Sequence, residues 1–298
     1  MKLEDIINKE NIKYNEPMCN HTTMKVGGNA EILVIPETIN QLVDVIKYAR
    51  MSNIEVKVLG VGSNVIVGDG GIDGIVVKIT NKLEDIKIDG DTIVTTAGSS
   101  MPKVAIKAKN NSLKGLEFAC GIPGTIGGGI RMNAGAYGGQ LSDVVVSVKY
   151  LDEDCNIKEL NKEDLRFGYR QSIFVENKNL VVLEVTLKLQ KGDKEEIAQL
   201  MEKNKLARVT KQPLDKPSAG SVFKRPEGYF VGKLIQDCNL QGVKVGFAQI
   251  STKHAGFIVN AGGATCKDIK DLIKLIQKTV KEKFNVILET EVEFIGRD

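Results

Sequence analysis

Apolar positions along the chain switch between two periods, and the switches mark out its elements. Residues 30–35 (AEILVI) read as a strand that stops at Pro36. Thr38 begins a helix with Gln41 three residues on as its capping-box partner, and Leu42, Ile46 and Ala49 follow at helical spacing. EVKVLGVGSNVIV reads as strand, glycine turn, strand, so a short helix and then a βαββ unit open the chain. After Gly74 come IVVKI, TIVTTAGSS, a helix around PKVAIKAKNNS, then VVVSVKYLDED and LVVLEVTLKLQ. In the last of these Leu183, Val185, Leu187 and Leu189 alternate with polar residues, as a strand with one wet face requires. This lobe is expected to be α+β with a mainly antiparallel sheet. A third lobe begins with a helix capped by Asp193, with Glu196 as box partner and Ile197, Leu200 and Met201 facing inward. KVGFAQIS and KHAGFIVN follow. A long helix then starts at Thr265 with Asp268 three residues on, and Ile269, Leu272, Ile273, Ile276, Val280 and Phe284 form its apolar stripe. LETEVEFIG closes the chain as a strand with Glu289, Glu291 and Glu293 on one face. The expected fold class is α+β, with lobes at residues 1–73, 74–191 and 192–298.

Composition narrows the function classes. A length of 298 residues suits several lobes, and 42% hydrophobic with 27% charged residues is ordinary for a soluble protein. Net charge is +3, no run of like charge forms a tail, and Trp is absent, so nucleic acid is not an expected partner. A mild positive field suits a small anionic substrate. Cysteines at 19, 120, 155, 238 and 266 form no CxxC pair, and with two histidines no metal site is expected. The opening MKLEDIINKENIKYN has no apolar signal core, and no apolar run spans a bilayer. A cytoplasmic protein with no membrane contact and no obligate protein partner is expected.

Glycine is abundant, at 30 residues, and clustered. In LGVGSNVIVGDGG, Gly60 and Gly62 fit the first two glycines of a dinucleotide fingerprint, but Val65 stands where the third belongs. NVIV favours a strand where that fingerprint needs a helix N-terminus, so a Rossmann site is rejected. Such a turn can still aim N–H groups at a phosphate, with Ser63 and Asn64 adding side-chain donors; a ligand-free glycine hairpin is the other reading. A second cluster, GIPGTIGGGIRMNAGAYGG, has eight glycines between 121 and 139. So much backbone without side chains needs compensation, and close approach of a flat or phosphorylated ligand supplies it. Two such loops, one per lobe, suit an elongated nucleotide cofactor.

GVGSNVIV, GIPGTIGGGIRMNAGAYGG, FGYRQSIF, PSAGSVFKRP, KHAGFIVN and LETEVEFIG occur in that order between about His21 and Gly296. Together they resemble the UDP-N-acetylenolpyruvoylglucosamine reductase (MurB) family. The resemblance implies a three-lobed flavoprotein: a two-lobed FAD-binding fold of the flavin-oxidase (PCMH-like) type plus a C-terminal α+β substrate domain. Only a short stretch separates Arg170 from LVVLEVTLKLQ, so the chain resembles the shorter, type II form that lacks a tyrosine-bearing loop. The resemblance implies FAD pyrophosphate at Gly60, Gly62, Ser63, Asn64 and Val65. It implies the isoalloxazine and its chain at Gly121, Pro123, Gly124, Gly127, Asn133, Ala134 and Gly135.

The same resemblance implies NADPH-dependent reduction of UDP-N-acetylglucosamine enolpyruvate to UDP-N-acetylmuramate. That reaction belongs to bacterial peptidoglycan precursor synthesis, and so to cell wall biogenesis, cell shape, the cell cycle and division. A hydride from reduced flavin N5 reaches the terminal methylene carbon, and negative charge develops on the adjacent carbon and its carboxylate. Arg170 meets that charge with a planar fork of donors, and Glu291 does so as a neutral carboxyl donating a hydrogen bond. Ser221 gives the final proton. Lys211, Lys224 and Arg225 are the implied contacts for the UDP-sugar substrate, and Tyr137 and Tyr169 are candidates to stack or donate. Without the resemblance, Arg170 reads as a surface arginine, Glu291 as a solvated strand edge and the lysines as solvated; His254 reads as structural in either case. Two rivals compete. A flavin oxidase of the same two-lobed fold would commonly attach flavin through His or Cys, and the second glycine cluster holds no histidine. A non-catalytic nucleotide-binding module leaves Arg170, Ser221 and Glu291 together unexplained.

Overall fold

The alternating run ending LVVLEVTLKLQ forms Val181–Lys188, the central strand of an antiparallel sheet in this computed structural model, which describes residues 2–298. The sheet order is Ile157–Asn161, Val145–Leu151, Val181–Lys188, Thr92–Thr96, Ile86–Asp89. Val185 stands opposite Val148 on one side and Thr95 on the other, so its side chain is fully enclosed. The sheet belongs to the first of two units, made of the chain up to Lys13, Leu33–Val61 and Ile75–Arg208.

Helix α1 of this unit, Ile39–Met51, starts at the Thr38 cap, whose Oγ1 accepts from Gln41 N at 3.1 Å, while Gln41 Oε1 accepts from Glu37 N at 2.8 Å. Leu42, Ile46 and Ala49 are buried as their spacing predicts. At its far end Arg50 donates to the carbonyls of Asp152 and Asn179, each at 2.6 Å. Helix α2 is Met101–Asn110, with Pro102 in its first turn where no N–H is needed. Short helices α3, Ile126–Arg131, and α4, Ile173–Glu176, are joined where Arg131 donates to the Phe174 carbonyl. Helix α5, Lys194–Lys211, is capped by Asp193, whose Oδ1 accepts from Glu196 N at 2.9 Å, and belongs to this unit through Arg208. Its inward face differs from expectation at one position. Ile197 and Met201 are buried, but Leu200 is 44% exposed, because the stripe runs on through Asn204 in place of position 200.

The second unit comprises Tyr14–Ile32, Gly62–Gly74 and Val209–Asp298. Its antiparallel sheet has the order Ser218–Ser221, Phe257–Asn260, Ala248–Ile250, Lys244–Val245. Val65–Val67 pairs in parallel with Glu293–Ile295. Helices α6, Val231–Asp237, and α7, Cys266–Phe284, complete the unit. The α7 stripe is buried from Ile269 to Val280, and it packs in one core with Met24, Ile66, Val222, Phe223 and Ile258. Of the final run LETEVEFIG only Glu293–Ile295 is a regular strand. Glu291 sits just before it, held by individual hydrogen bonds described below. No helix is long and apolar enough to cross a membrane, and no three metal-ligating side chains gather among the described residues. The five cysteines are free thiols.

The start of α7 is fixed twice. Thr265 and Asp268 form the capping box, with Asp268 N on Thr265 Oγ1 at 3.0 Å and Thr265 N on Asp268 Oδ2 at 3.1 Å. Asp69, from a distant turn, accepts from Cys266 N at 2.8 Å and Lys267 N at 2.9 Å. A carboxylate on two otherwise unbonded N–H groups also meets the positive end of the helix. Replacing Asp69 with Ala should therefore cost about 1–2 kcal/mol in urea denaturation; an unchanged midpoint would show that the box alone suffices.

Candidate active site

Ser221 owes its placement to a bulge. Ser218 pairs with Val259 and Ser221 with Phe257, so three steps on one strand answer to two on the other. Gly220 absorbs the difference with φ +82°, a left-handed conformation costly for a residue with a side chain. The next residue is fixed from both sides: Val222 N donates to Gly256 O at 3.0 Å, and Val222 O accepts from Glu291 N at 2.8 Å. Lys224 N donates to Glu289 O at 2.9 Å and Phe223 bridges Thr290, extending the same seam. Ser221 and Glu291 therefore lie on neighbouring segments, and both are half-buried.

The Gly62–Asn64 turn is tied to both segments. Thr23 N donates to Gly62 O at 3.1 Å, and Thr23 Oγ1 donates to Ser218 O at 2.6 Å. Asn64 Nδ2 donates to Glu291 O at 3.0 Å, and Asn64 O accepts from Glu293 N at 2.9 Å. Val65–Val67 pairs with the last strand, while Val56–Leu59 pairs with Ile75–Lys78, so residues 60–64 are not the turn of a hairpin. One of the two Asn64 amide protons is thus bonded to protein.

His254 sits beside Ser221. A side chain built on Gly256 would meet the His254 ring at 3.1 Å and Ser221 Oγ at 3.5 Å, so glycine is needed where these two groups converge. His254 Nδ1 accepts from Gly256 N at 3.1 Å, and the ring meets Phe257 edge-on with centroids 4.9 Å apart. Burial, and next among the lowering influences the charge of Lys211, push the imidazole below its ordinary value. The neutral ring carries its proton on Nε2. Lys211 is itself exposed. Lys224 pairs with Glu289 at 3.2 Å, and Arg225 stacks on the Phe230 ring at 4.0 Å.

The first unit holds the second glycine cluster. Thr125 caps α3, accepting from Gly128 N at 3.3 Å, and Gly60 packs so closely that a side chain there would lie 2.7 Å from Thr125 Oγ1. The three helical glycines do different things. A Cβ on Gly127 would lie 2.8 Å from Ala97 Cβ, and one on Gly129 would lie 2.7 Å from both Met101 Sδ and Leu141 Cδ1. Gly128 is exposed, and its nearest neighbour would be Thr125 Oγ1 at 3.5 Å. Packing thus explains Gly127 and Gly129, whereas Gly128 is left sterically open. Pro123 is also exposed, and Gly121 and Gly124 are half-buried.

Asn133 is buried with φ +42°, and its amide links three places: Oδ1 accepts from Ser142 N at 3.0 Å, and Nδ2 donates to Gly168 O at 3.0 Å and Gln140 Oε1 at 3.3 Å. Its side chain braces the loop. Ala134 N donates to Gly129 O at 2.8 Å, which joins that backbone to α3. Arg170, at φ +56°, donates from Nη2 to Gly135 O at 3.2 Å and lies over the Tyr169 ring at 5.0 Å. Asn133, Tyr137, Arg166 and Arg170 all hold positive φ, a concentration of backbone strain of the kind seen at functional sites. Arg208, which sequence reasoning passed over, lies against Gly121. Its signal was the continuation of the Ile197, Met201, Asn204 stripe on α5.

Family models give the class, an FAD-binding oxidoreductase. Residues 30–161 match the FAD binding domain, and residues 212–295 match the C-terminal domain of UDP-N-acetylenolpyruvoylglucosamine reductase. UDP-N-acetylenolpyruvoylglucosamine reductase from Clostridium perfringens is 49% identical over 99% of this chain and 97% of its own. The protein of the same name from Clostridium botulinum is 48% identical over 100% and 97%. The crystal structure of the reductase (MurB) from Thermus caldophilus matches with a TM-score of 0.81 and 34% identity, covering 95% of this chain and 97% of that one. The chain belongs to the UDP-N-acetylenolpyruvoylglucosamine reductase family and binds FAD.

The two kinds of glycine are separable by experiment. Gly129→Ala overpacks α3 and should lower the melting point of the apoprotein, at a cost of about 1–3 kcal/mol. Gly128→Ala should leave melting unchanged or raise it, since Ala favours a helix by roughly 1 kcal/mol, yet weaken FAD binding in a fluorescence titration. Full FAD affinity in Gly128→Ala would place the cofactor elsewhere.

Proposed function

We propose that the protein reduces UDP-N-acetylglucosamine enolpyruvate to UDP-N-acetylmuramate with NADPH, a step of bacterial peptidoglycan precursor synthesis in the cytoplasm. The observation that carries this reading is the seam through Val222, which brings the Ser221 and Glu291 segments side by side. A nucleotide-binding module has no use for that pairing. The reaction needs both groups.

Bound FAD supplies hydride relay from NADPH to the terminal methylene carbon of the enol ether. The C=C electron pair then falls on the adjacent carbon, and charge spreads into its carboxylate. Arg170, steadied on Gly135 O and Tyr169, gives that carboxylate two parallel N–H donors. Glu291 adds a further hydrogen bond to the enolate. Ser221 Oγ–H donates its proton to the carbon, which completes the C–H bond and leaves a serine oxyanion to be reprotonated from solvent. Gly256 and the neutral His254 close one side of the hydroxyl and limit its rotation.

Cofactor contacts in this reading come from the backbone of Gly60, Gly62 and Val65 with Ser63 and Asn64, and from Gly121, Pro123, Gly124, Gly127 and residues 133–135. Lys211, Lys224 and Arg225 meet the phosphates of the UDP-sugar. Lys224 and Arg225 must first leave Glu289 and Phe230, and exposed pairs of this kind cost little to break.

Ser221→Ala isolates the proton step. Stopped-flow absorbance should show flavin reduction by NADPH at the wild-type rate, and reoxidation by the enol ether slowed roughly a hundred- to ten-thousand-fold. Equal slowing of both half-reactions would remove Ser221 from the proton-donor role.

A further inference from the structure

Helix α5 turns a cation toward the body of its own unit. Ile197, Met201, Asn204 and Arg208 fall at i, i+4, i+7 and i+11, one stripe of a helix. The first three are buried, and two of them bond to residues 117–121: Asn204 Nδ2 donates to Glu117 O at 3.3 Å, and Met201 O accepts from Cys120 Sγ at 3.5 Å. Arg208 continues that packing. A side chain built on Gly121 would lie 3.2 Å from Arg208 Cδ, so the arginine stem runs along the first glycine of GIPGTIGGG.

The guanidinium has no countercharge. Arg208 makes no hydrogen bond or ion pair with any described residue. Burial pushes its guanidinium below the ordinary value, and the two ionisable groups acting on it are Tyr137 and Cys120. Burial raises both of these, so each is neutral at neutral pH and neither balances the charge. A half-buried guanidinium with no protein partner keeps its donors available to a ligand's anion. Arginine's planar fork suits two phosphate oxygens.

We propose that Arg208 clamps a nucleotide diphosphate beside Gly121, which for FAD puts the diphosphate there and not at the Gly60–Val65 turn that the resemblance implies. FAD, NADPH and the UDP-sugar each carry that group. FAD is favoured, because Gly121 lies within the stretch matching the FAD binding domain. Arg208 itself lies outside both matched stretches, 30–161 and 212–295, so neither family model assigns it a part. The inference rests on FAD being the resident cofactor.

The test uses the full chain with Arg208→Gln and Arg208→Lys, titrated as apoproteins with FAD and with riboflavin, which lacks the diphosphate. Arg208→Gln should weaken FAD roughly ten- to hundredfold and leave riboflavin affinity unchanged, with Arg208→Lys recovering part. The Arg208→Gln apoprotein should melt no lower than wild type, because the cation removed was uncompensated. Unchanged FAD affinity with a similar rise in KM for NADPH or the UDP-sugar assigns the clamp to that nucleotide's diphosphate. Equal weakening of FAD and riboflavin, a lower apoprotein melting point, or no change in any of these overturns the proposal. A wild-type protein that takes up riboflavin but no FAD overturns the cofactor reading and the inference with it.

Discussion

Two backbone hydrogen bonds at Val222 hold the Ser221 and Glu291 segments of the second unit together. One goes to Gly256, on the strand beside Ser221, and the other comes from Glu291. Each contributes only about 1 kcal/mol net, too little to fix a catalytic geometry alone. The side chains of Val222 and Phe223 are 1% and 2% exposed in the unit's core, and burial on that scale contributes about 1.5–3 kcal/mol each. The core therefore sets where this segment lies, and the hydrogen bonds set its register. Ser221 and Glu291 inherit their positions from apolar neighbours that take no part in chemistry.

The first unit solves a different problem, how to bring bare backbone to a ligand without losing rigidity. Glycine in a helix is unfavourable by about 1 kcal/mol relative to alanine, and α3 carries three in a row. Two of them let the helix press onto Ala97, Met101 and Leu141, so the close packing returns what the propensity loses. The third is left open. Asn133 then braces the following loop through its amide, and Arg170 is held by the loop's Gly135 carbonyl. Rigidity here comes from polar bonds to backbone, which survive in a segment with few side chains to pack.

Much of this was legible in the chain. The Thr38 and Thr265 caps, the α7 stripe and the alternation in Val181–Lys188 are local signals, and each formed as its spacing dictates. The six motifs identified the family. What escaped was set by partners far along the chain. Asn64 reads as a phosphate donor with nothing to announce that one of its two amide protons goes to Glu291, 227 positions away. LETEV alternates like a strand, yet Glu291 is held by single bonds to Val222 and Asn64, and a regular strand begins only at Glu293. Leu200 looked inward-facing because apolar identity outweighed exact angle; the buried stripe took Asn204 and Arg208 instead, for the carbonyl of Glu117 and the edge of Gly121. The glycine run looked like loop throughout, since nothing local announces that two glycines are there for helix packing.

The central claim is that the bulge at Gly220, set on the Val222 seam, aims the Ser221 hydroxyl at the reacting carbon. Single-turnover reoxidation of NADPH-reduced Gly220→Ala by the enol ether tests it most directly, since alanine keeps the serine but resists φ +82°. A misplacement near 1 Å is enough to slow the step about a hundredfold, while reduction by NADPH keeps its wild-type rate. Reoxidation at the wild-type rate in a folded, FAD-loaded Gly220→Ala protein would contradict the account.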